Sequence, residues 1–156
     1  MGEVYFYKTT GPDVSDLVRA LLMRSRAAGW RSAVRARSDD ALENLDSELW
    51  LRPAHGFFPH AVEGGGFDAE QPVLLMRSAA APANRAHALI LFDGADLDES
   101  DVADWQRVSI VFRGDNRDEL AIARNLWDGF AKAGVAVRYF SNEAGGWEET
   151  ASKNIS

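Results

Sequence analysis

A chain of 156 residues, 46% hydrophobic and 26% charged, has the composition of one globular domain, and no apolar run approaches the roughly 18 residues a membrane span needs. Its formal net charge of −7 argues against a surface that grips DNA directly, because nonspecific DNA affinity comes mainly from neutralised phosphates. The lack of cysteine excludes a disulfide framework and, with an opening that reads as a strand rather than a signal segment, leads us to expect a cytoplasmic protein.

Glu3 to Lys8 (EVYFYK) is an aromatic and β-branched run that predicts a strand. TTGPD then supplies a turn and a helix start at Asp13, and Val14, Leu17, Val18, Leu21 and Leu22 recur at helical spacing until Gly29. WRSAVRA alternates as a second strand. Ser38 is the expected N-cap of a helix that carries Leu42, Leu45 and Leu49 on one stripe and ends near Trp50. Residues 51–72 read as loop, broken by Pro53, Pro59, three consecutive glycines and Pro72. VLLM, HALILF and RVSIVF are three further strands, followed by a long capped helix in GDNRDELAIARNLWDGFAKAG, a last strand in VAVRYF and a polar C-terminal tail over 148–156. Strands alternating with helices imply an α/β fold with a largely parallel sheet flanked by helices.

Motifs for chemistry are missing. The loop after the first strand has one glycine, not G-x-G-x-x-G, and acids at the helix start, so it lacks the means to cradle a pyrophosphate. Gly64 to Gly66 are not followed by Lys-Ser or Lys-Thr. The Asp96, Asp98, Asp101 run lacks the glycine and glutamate of a calcium loop and reads as a solvated helix start. His55 and His60 have no cysteine or carboxylate pair to complete a metal site, and read as loop histidines making ordinary hydrogen bonds. No nucleophile elbow is present. We expect no catalytic residue, no metal and no cofactor.

Two surfaces stand out. On the long helix, Ile122, Leu126, Phe130 and Ala133 share one side at about 100° per residue and are the expected core face. Leu120, Arg124 and Trp127 lie nearly opposite, combining a ring, an aliphatic chain and a fixed positive charge suited to a peptide end with an apolar side chain and a carboxylate. The second surface is ELWLRPAHGFFPH, Glu48 to His60. Trp50 points about 100° aside from the Leu42, Leu45, Leu49 stripe, at the rim of the core. The neighbouring Phe57 and Phe58 cannot easily face one core together, so at least one belongs near the surface, as an interface anchor.

The pattern L-D-x-x-L-W followed by F-x-P-H, in residues 45–60, resembles the chi subunit of bacterial DNA polymerase III holoenzyme. AAGWRSAVRA, QPVLL, LILFDGA, VSIVF with Gly114-Asp115, and Ala123-Arg124, Trp127 and KAGVAVRYF follow in that family's order, so the resemblance covers most of residues 1–147. It implies a single Rossmann-like domain over 1–147 and a noncatalytic accessory of the clamp loader. Such a protein links the replicase to single-stranded-DNA-binding protein by holding the acidic C-terminal tail of the latter. By resemblance Arg124 pairs with the tail's terminal carboxylate, Trp127 and Leu120 wall its terminal ring, and Arg117 or Arg113 meets its aspartates. Some relatives carry extra lysines where this helix has Leu120 and Asp128, which implies a smaller electrostatic share of affinity. Trp50 and Phe57, with Phe58 beside them, match positions that contact the psi subunit, another clamp-loader component or a DNA-repair helicase. Two rival classes are an adaptor for such a helicase, independent of the polymerase, and a nucleotide-binding enzyme.

Overall fold

Strand alternation sorts the buried side chains onto two faces of one sheet. In β1 (Glu3–Thr9), Val4 and Phe6 turn to one face and Tyr7 to the other, and all three are buried. β1 lies inside the sheet, paired in parallel with β6 (Arg107–Arg113) on one side and β7 (Val137–Ser141) on the other. The computed structural model describes residues 2–9, 14–51, 60–77, 80–142 and 146–155.

The remaining strands are β2 (Ser32–Arg35), β3 (His60–Val62), β4 (Val73–Met76), β5 (Ala88–Leu91) and β8 (Glu148–Lys153), and the eight lie in the order β3-β4-β2-β5-β6-β1-β7-β8. Every pairing is parallel except β7 with β8, so the sheet is mostly but not purely parallel. Four-residue strands such as VLLM and ALIL are buried at every position, as expected of strands covered on both faces. Helices α1 (Val14–Ala27) and α2 (Asp39–Leu51) pack on the Tyr7 face, and α3 (Arg117–Lys132) packs on the Phe6 face. Among the described residues no helix is long and apolar enough to cross a membrane.

Two segments differ from the sequence expectation. Residues 51–72 are not all loop: β3 begins at His60, and Asp68–Glu70 forms a short 3-10 turn. The sequence 148–156 is not simply a tail, because Glu148–Lys153 adds an antiparallel edge strand, with a register irregularity opposite Tyr139 and Phe140. All six residues of β8 are exposed, so there is no apolar alternation to betray it.

The Leu45–His60 motif has a structural basis. Leu45 and Leu49 are buried in the core, while Asp46 and Trp50, four residues apart and so neighbours on α2, both meet His60 at the start of β3. His60 Nε2 lies 3.0 Å from Asp46 Oδ1, and its ring centroid is 4.6 Å from that of Trp50. His60 is therefore a buried strand residue rather than a loop histidine. Ser38 caps α2 as expected, its Oγ accepting from the Ala41 N–H.

Burial raises the Tyr7 phenol above its ordinary value, outweighing the downward pull of Arg24 and Arg107. The unfolded chain ionises this tyrosine near pH 10, while the folded protein keeps its proton. The contribution to stability is complete below about pH 10 and is lost as pH climbs toward the higher folded value. Urea midpoints are expected to fall across that alkaline window and to fall less steeply in Tyr7→Phe; equal slopes would refute the assignment.

Candidate functional site

Helix α3 starts at Asn116, whose Oδ1 accepts from the Glu119 N–H at 3.0 Å, and carries Asp118 and Glu119 in its first turn and Lys132 in its last. Its inner face is formed by Glu119, Ala123 and Phe130, each at least 97% buried. The expected core face is thus shifted by about one residue. Ile122 is only half-buried and lies against the Gly94 turn, and Ala133 is exposed at the helix end. Leu120 and Trp127 are not opposite the core; they pack on its edge, half-buried, and Arg124 alone of the three points fully outward. The small Ala123 lets the helix approach the sheet, and the paired Glu119 can sit inside; neither carries a hydrophobic signal in the sequence.

Leu120, Arg124 and Trp127 do come together, along one wall of a groove of about 520 Å³ between α3 and the sheet. Its floor is aromatic. The Trp127 ring meets Phe6 edge-on at 5.3 Å and Tyr139 at 5.9 Å, and Tyr139 in turn meets Phe112 at 5.8 Å. Two of these contacts hold the indole in place and the third braces Tyr139 behind it, leaving one side open, so a guest side chain meets a preformed surface. Lys8 lines the groove from β1, on the same side of the strand as Val4 and Phe6, and passes over Gly114, where a Cβ would lie 2.7 Å from its Cε. Lys153 lines it from β8, facing Arg124 and the single acid Asp128 across the floor. An apolar floor with more cations than anions around it can hold an apolar side chain next to a carboxylate.

Arg113 does not line this groove. It sits on the opposite face of β6 from Phe112, and its Nε donates to Glu119 Oε2 at 2.8 Å, with a second bond from its Nη2. The Arg113 N–H also donates to Glu119 Oε1, at 3.1 Å. The bonded Glu119 carboxylate holds the Arg113 guanidinium above its ordinary value, against the opposing effect of burial. Arg117 is exposed in the first turn of α3 and does not line the groove either. At the far side of the sheet Trp50 is 48% exposed and Leu51 74%, consistent with the rim position expected for Trp50. Phe57, Phe58 and His55 lie outside the described residues. Lys8, Tyr139 and β8 were not foreseen, though the parity of Lys8 with Val4 and Phe6 was a usable sign.

A second cleft, of about 320 Å³, lies at the C-terminal ends of the strands near the starts of α1 and α2, where open α/β sheets bind nucleotides. Here the start of α2 is already occupied. The Ser38 N–H and hydroxyl both donate to Asp93 Oδ2 at 2.9 Å, so a carboxylate of the chain itself stands where a phosphate would bind. Among the described residues no group of histidines and acids is arranged to hold a metal.

Residues 1–138 match the family model of the DNA polymerase III chi subunit, HolC. The chain belongs to this family. The expectation drawn from the Leu45–His60 motif is thereby met, and with it a role as a chi subunit of DNA polymerase III. No curated protein sequence matches the chain. Among solved structures, the C-terminal domain of the DEAD-box protein Dbp5 is similar, with a TM-score of 0.59 at 12% identity over 92% of this chain and 91% of that one. The C-terminal domain of a possible DNA helicase from Lactobacillus plantarum WCFS1 gives 0.56 at 14% identity over 90% and 85%. At these identities the likeness is one of fold.

The buried Glu119 carboxylate ties the first turn of α3 to the end of β6 and so seats the helix that walls the groove. Glu119→Gln keeps the shape and removes the charge, and is expected to cost about 1–3 kcal/mol by urea denaturation, discounted for the partly exposed Arg113. An unchanged midpoint would mean that Ala123 and Phe130 suffice to seat the helix.

Proposed function

We propose that this chi-family subunit links the clamp loader of DNA polymerase III to single-stranded-DNA-binding protein by holding the acidic C-terminal tail of that protein in the Trp127 groove. The observation that carries this is the meeting of Leu120, Arg124 and Trp127 in one groove over an aromatic floor, with Lys8 and Lys153 at its margins. Arg124 is exposed and makes no ion pair with the described residues, so its guanidinium is available to a terminal carboxylate. Trp127 and Leu120 offer the walls for an apolar terminal side chain. Arg117 stands at the helix start, where it can meet acids upstream; Arg113, paired with Glu119, is left out of the site.

The Trp50 surface is the proposed contact to the rest of the assembly, through psi or another clamp-loader component, with a repair helicase as the alternative. Its support is the half-exposed ring of Trp50 with the exposed Leu51 beside it on the sheet edge far from the groove, so both partners can bind at once. Phe57 and Phe58 are proposed as further anchors on the same surface.

The test is calorimetric titration with the C-terminal peptide of the cognate single-stranded-DNA-binding protein. Arg124→Ala is expected to lose about 1.5–3 kcal/mol of binding, the range for a hydrogen bond to a charged group, with little change in fold stability. Trp50→Ala should bind the peptide like wild type but fail to retain a polymerase or helicase component from lysate. A folded wild-type protein that ignores the peptide would sink the proposal.

A further inference from the structure

The family match ends at residue 138, in β7, yet the groove does not. Its open side is formed by Thr150, Ala151, Ser152 and Lys153 of β8, a strand wholly beyond the matched span. The pairing of Val137 with Lys153 and Tyr139 with Ala151 sets Lys153 and Ala151 on the sheet face that carries α3, since directly paired residues point to the same side. The irregularity between Tyr139 and Phe140 leaves Thr150 unpaired, and its Oγ1 donates to the Tyr139 carbonyl at 3.5 Å. Glu149 turns to the other face, where it accepts from Arg138 at 2.7 Å. Of the two acids on β8, Glu149 is thus engaged on the far side of the sheet, while Glu148, paired with Ser141, shares the groove face but stands four strand positions, roughly 13 Å, from Lys153.

The strand is fixed at its end. Asn154, at φ +61°, donates from its side-chain amide to the carbonyls of Ala131 at 3.0 Å and Val135 at 2.9 Å, capping the C-terminus of α3. One wall of the groove is therefore tied to the helix that forms the other. Lys8 and Lys153 stand at opposite corners: four residues apart along the strand direction, by the register of β1 with β7, and two strands apart across it. That diagonal is roughly 16 Å, about five residues of extended chain.

From this we infer that β8 is a specificity element of the groove, in which Lys153, with Lys8 at the opposite corner, selects a bound peptide for carboxylate side chains several residues upstream of its apolar end. The inference rests on the groove being the peptide site of the preceding section. It assigns to Lys153 the discrimination between acidic and neutral segments, and leaves the terminal carboxylate to Arg124.

The experiment uses the full chain and two synthetic peptides, one with a run of aspartates before a C-terminal phenylalanine and one with asparagines in their place. Lys153→Glu is expected to weaken the aspartate peptide by about tenfold or more and the asparagine peptide by less than about twofold, with Lys153→Gln between wild type and Lys153→Glu. Lys153 is exposed, and far-UV circular dichroism checks that each variant is folded. If Arg124→Ala abolishes binding while the Lys153 variants behave like wild type, or weaken both peptides equally, the role of β8 is overturned and the groove stands. If neither peptide binds wild type, both fall.

Discussion

The seating of α3 on the sheet is the constraint from which the rest follows. Phe130 is buried completely near one end of the helix and Glu119 near the other, with Ala123 between them allowing close approach. One anchor is apolar and indifferent to orientation; the other is a carboxylate that accepts from a guanidinium and a backbone N–H, and so fixes rotation. With the helix held in this phase, Trp127 falls on the core's margin instead of inside it or clear of it. A turn of one residue, about 100°, in one direction would bury the indole and in the other would strip it of Phe6 and Tyr139.

What the amino-acid pattern made readable, and what it hid, divide along physical lines. Strands such as VLLM and ALIL announce themselves because a parallel strand covered on both faces is apolar throughout. Ser38 before two aspartates marks the start of α2 for the local reason that it satisfies a helix N–H. β3 has three residues after a proline, too short for any period to show, and β8 has no buried face at all. The phase of α3 is hidden from the sequence pattern because a buried alanine and an ion-paired glutamate carry little hydrophobic weight. Leu120, Arg124 and Trp127 were still grouped correctly, since their i, i+4, i+7 spacing puts them on one side of a helix whatever its phase. Lys8 and Lys153 join them only through strand register, which connects the two ends of the chain and is invisible to local spacing.

The fold also separates this chi-family chain from the nucleotide chemistry that its sheet invites. Open α/β sheets offer a ligand the crevice at the strand ends, and this one keeps the crevice but fills the start of α2 with Asp93. The proposed peptide groove lies instead on the flank, where α3 leaves the sheet partly uncovered. The likeness to helicase C-terminal domains in fold, at 12% and 14% identity, is therefore compatible with a quite different use of the same scaffold.

An eight-stranded sheet that does not close has two free edges, and each is a template on which another chain can pair. At one edge β3 is only three residues long, giving an intruding strand little to hold. At the other, β8 carries Glu148, Glu149 and Lys153 and has an irregular register opposite Tyr139 and Phe140, so charge and local twist both work against a flat, endless ladder. The same strand that walls the groove thereby helps keep a largely apolar sheet from growing into fibres at the high local protein concentrations of a large assembly.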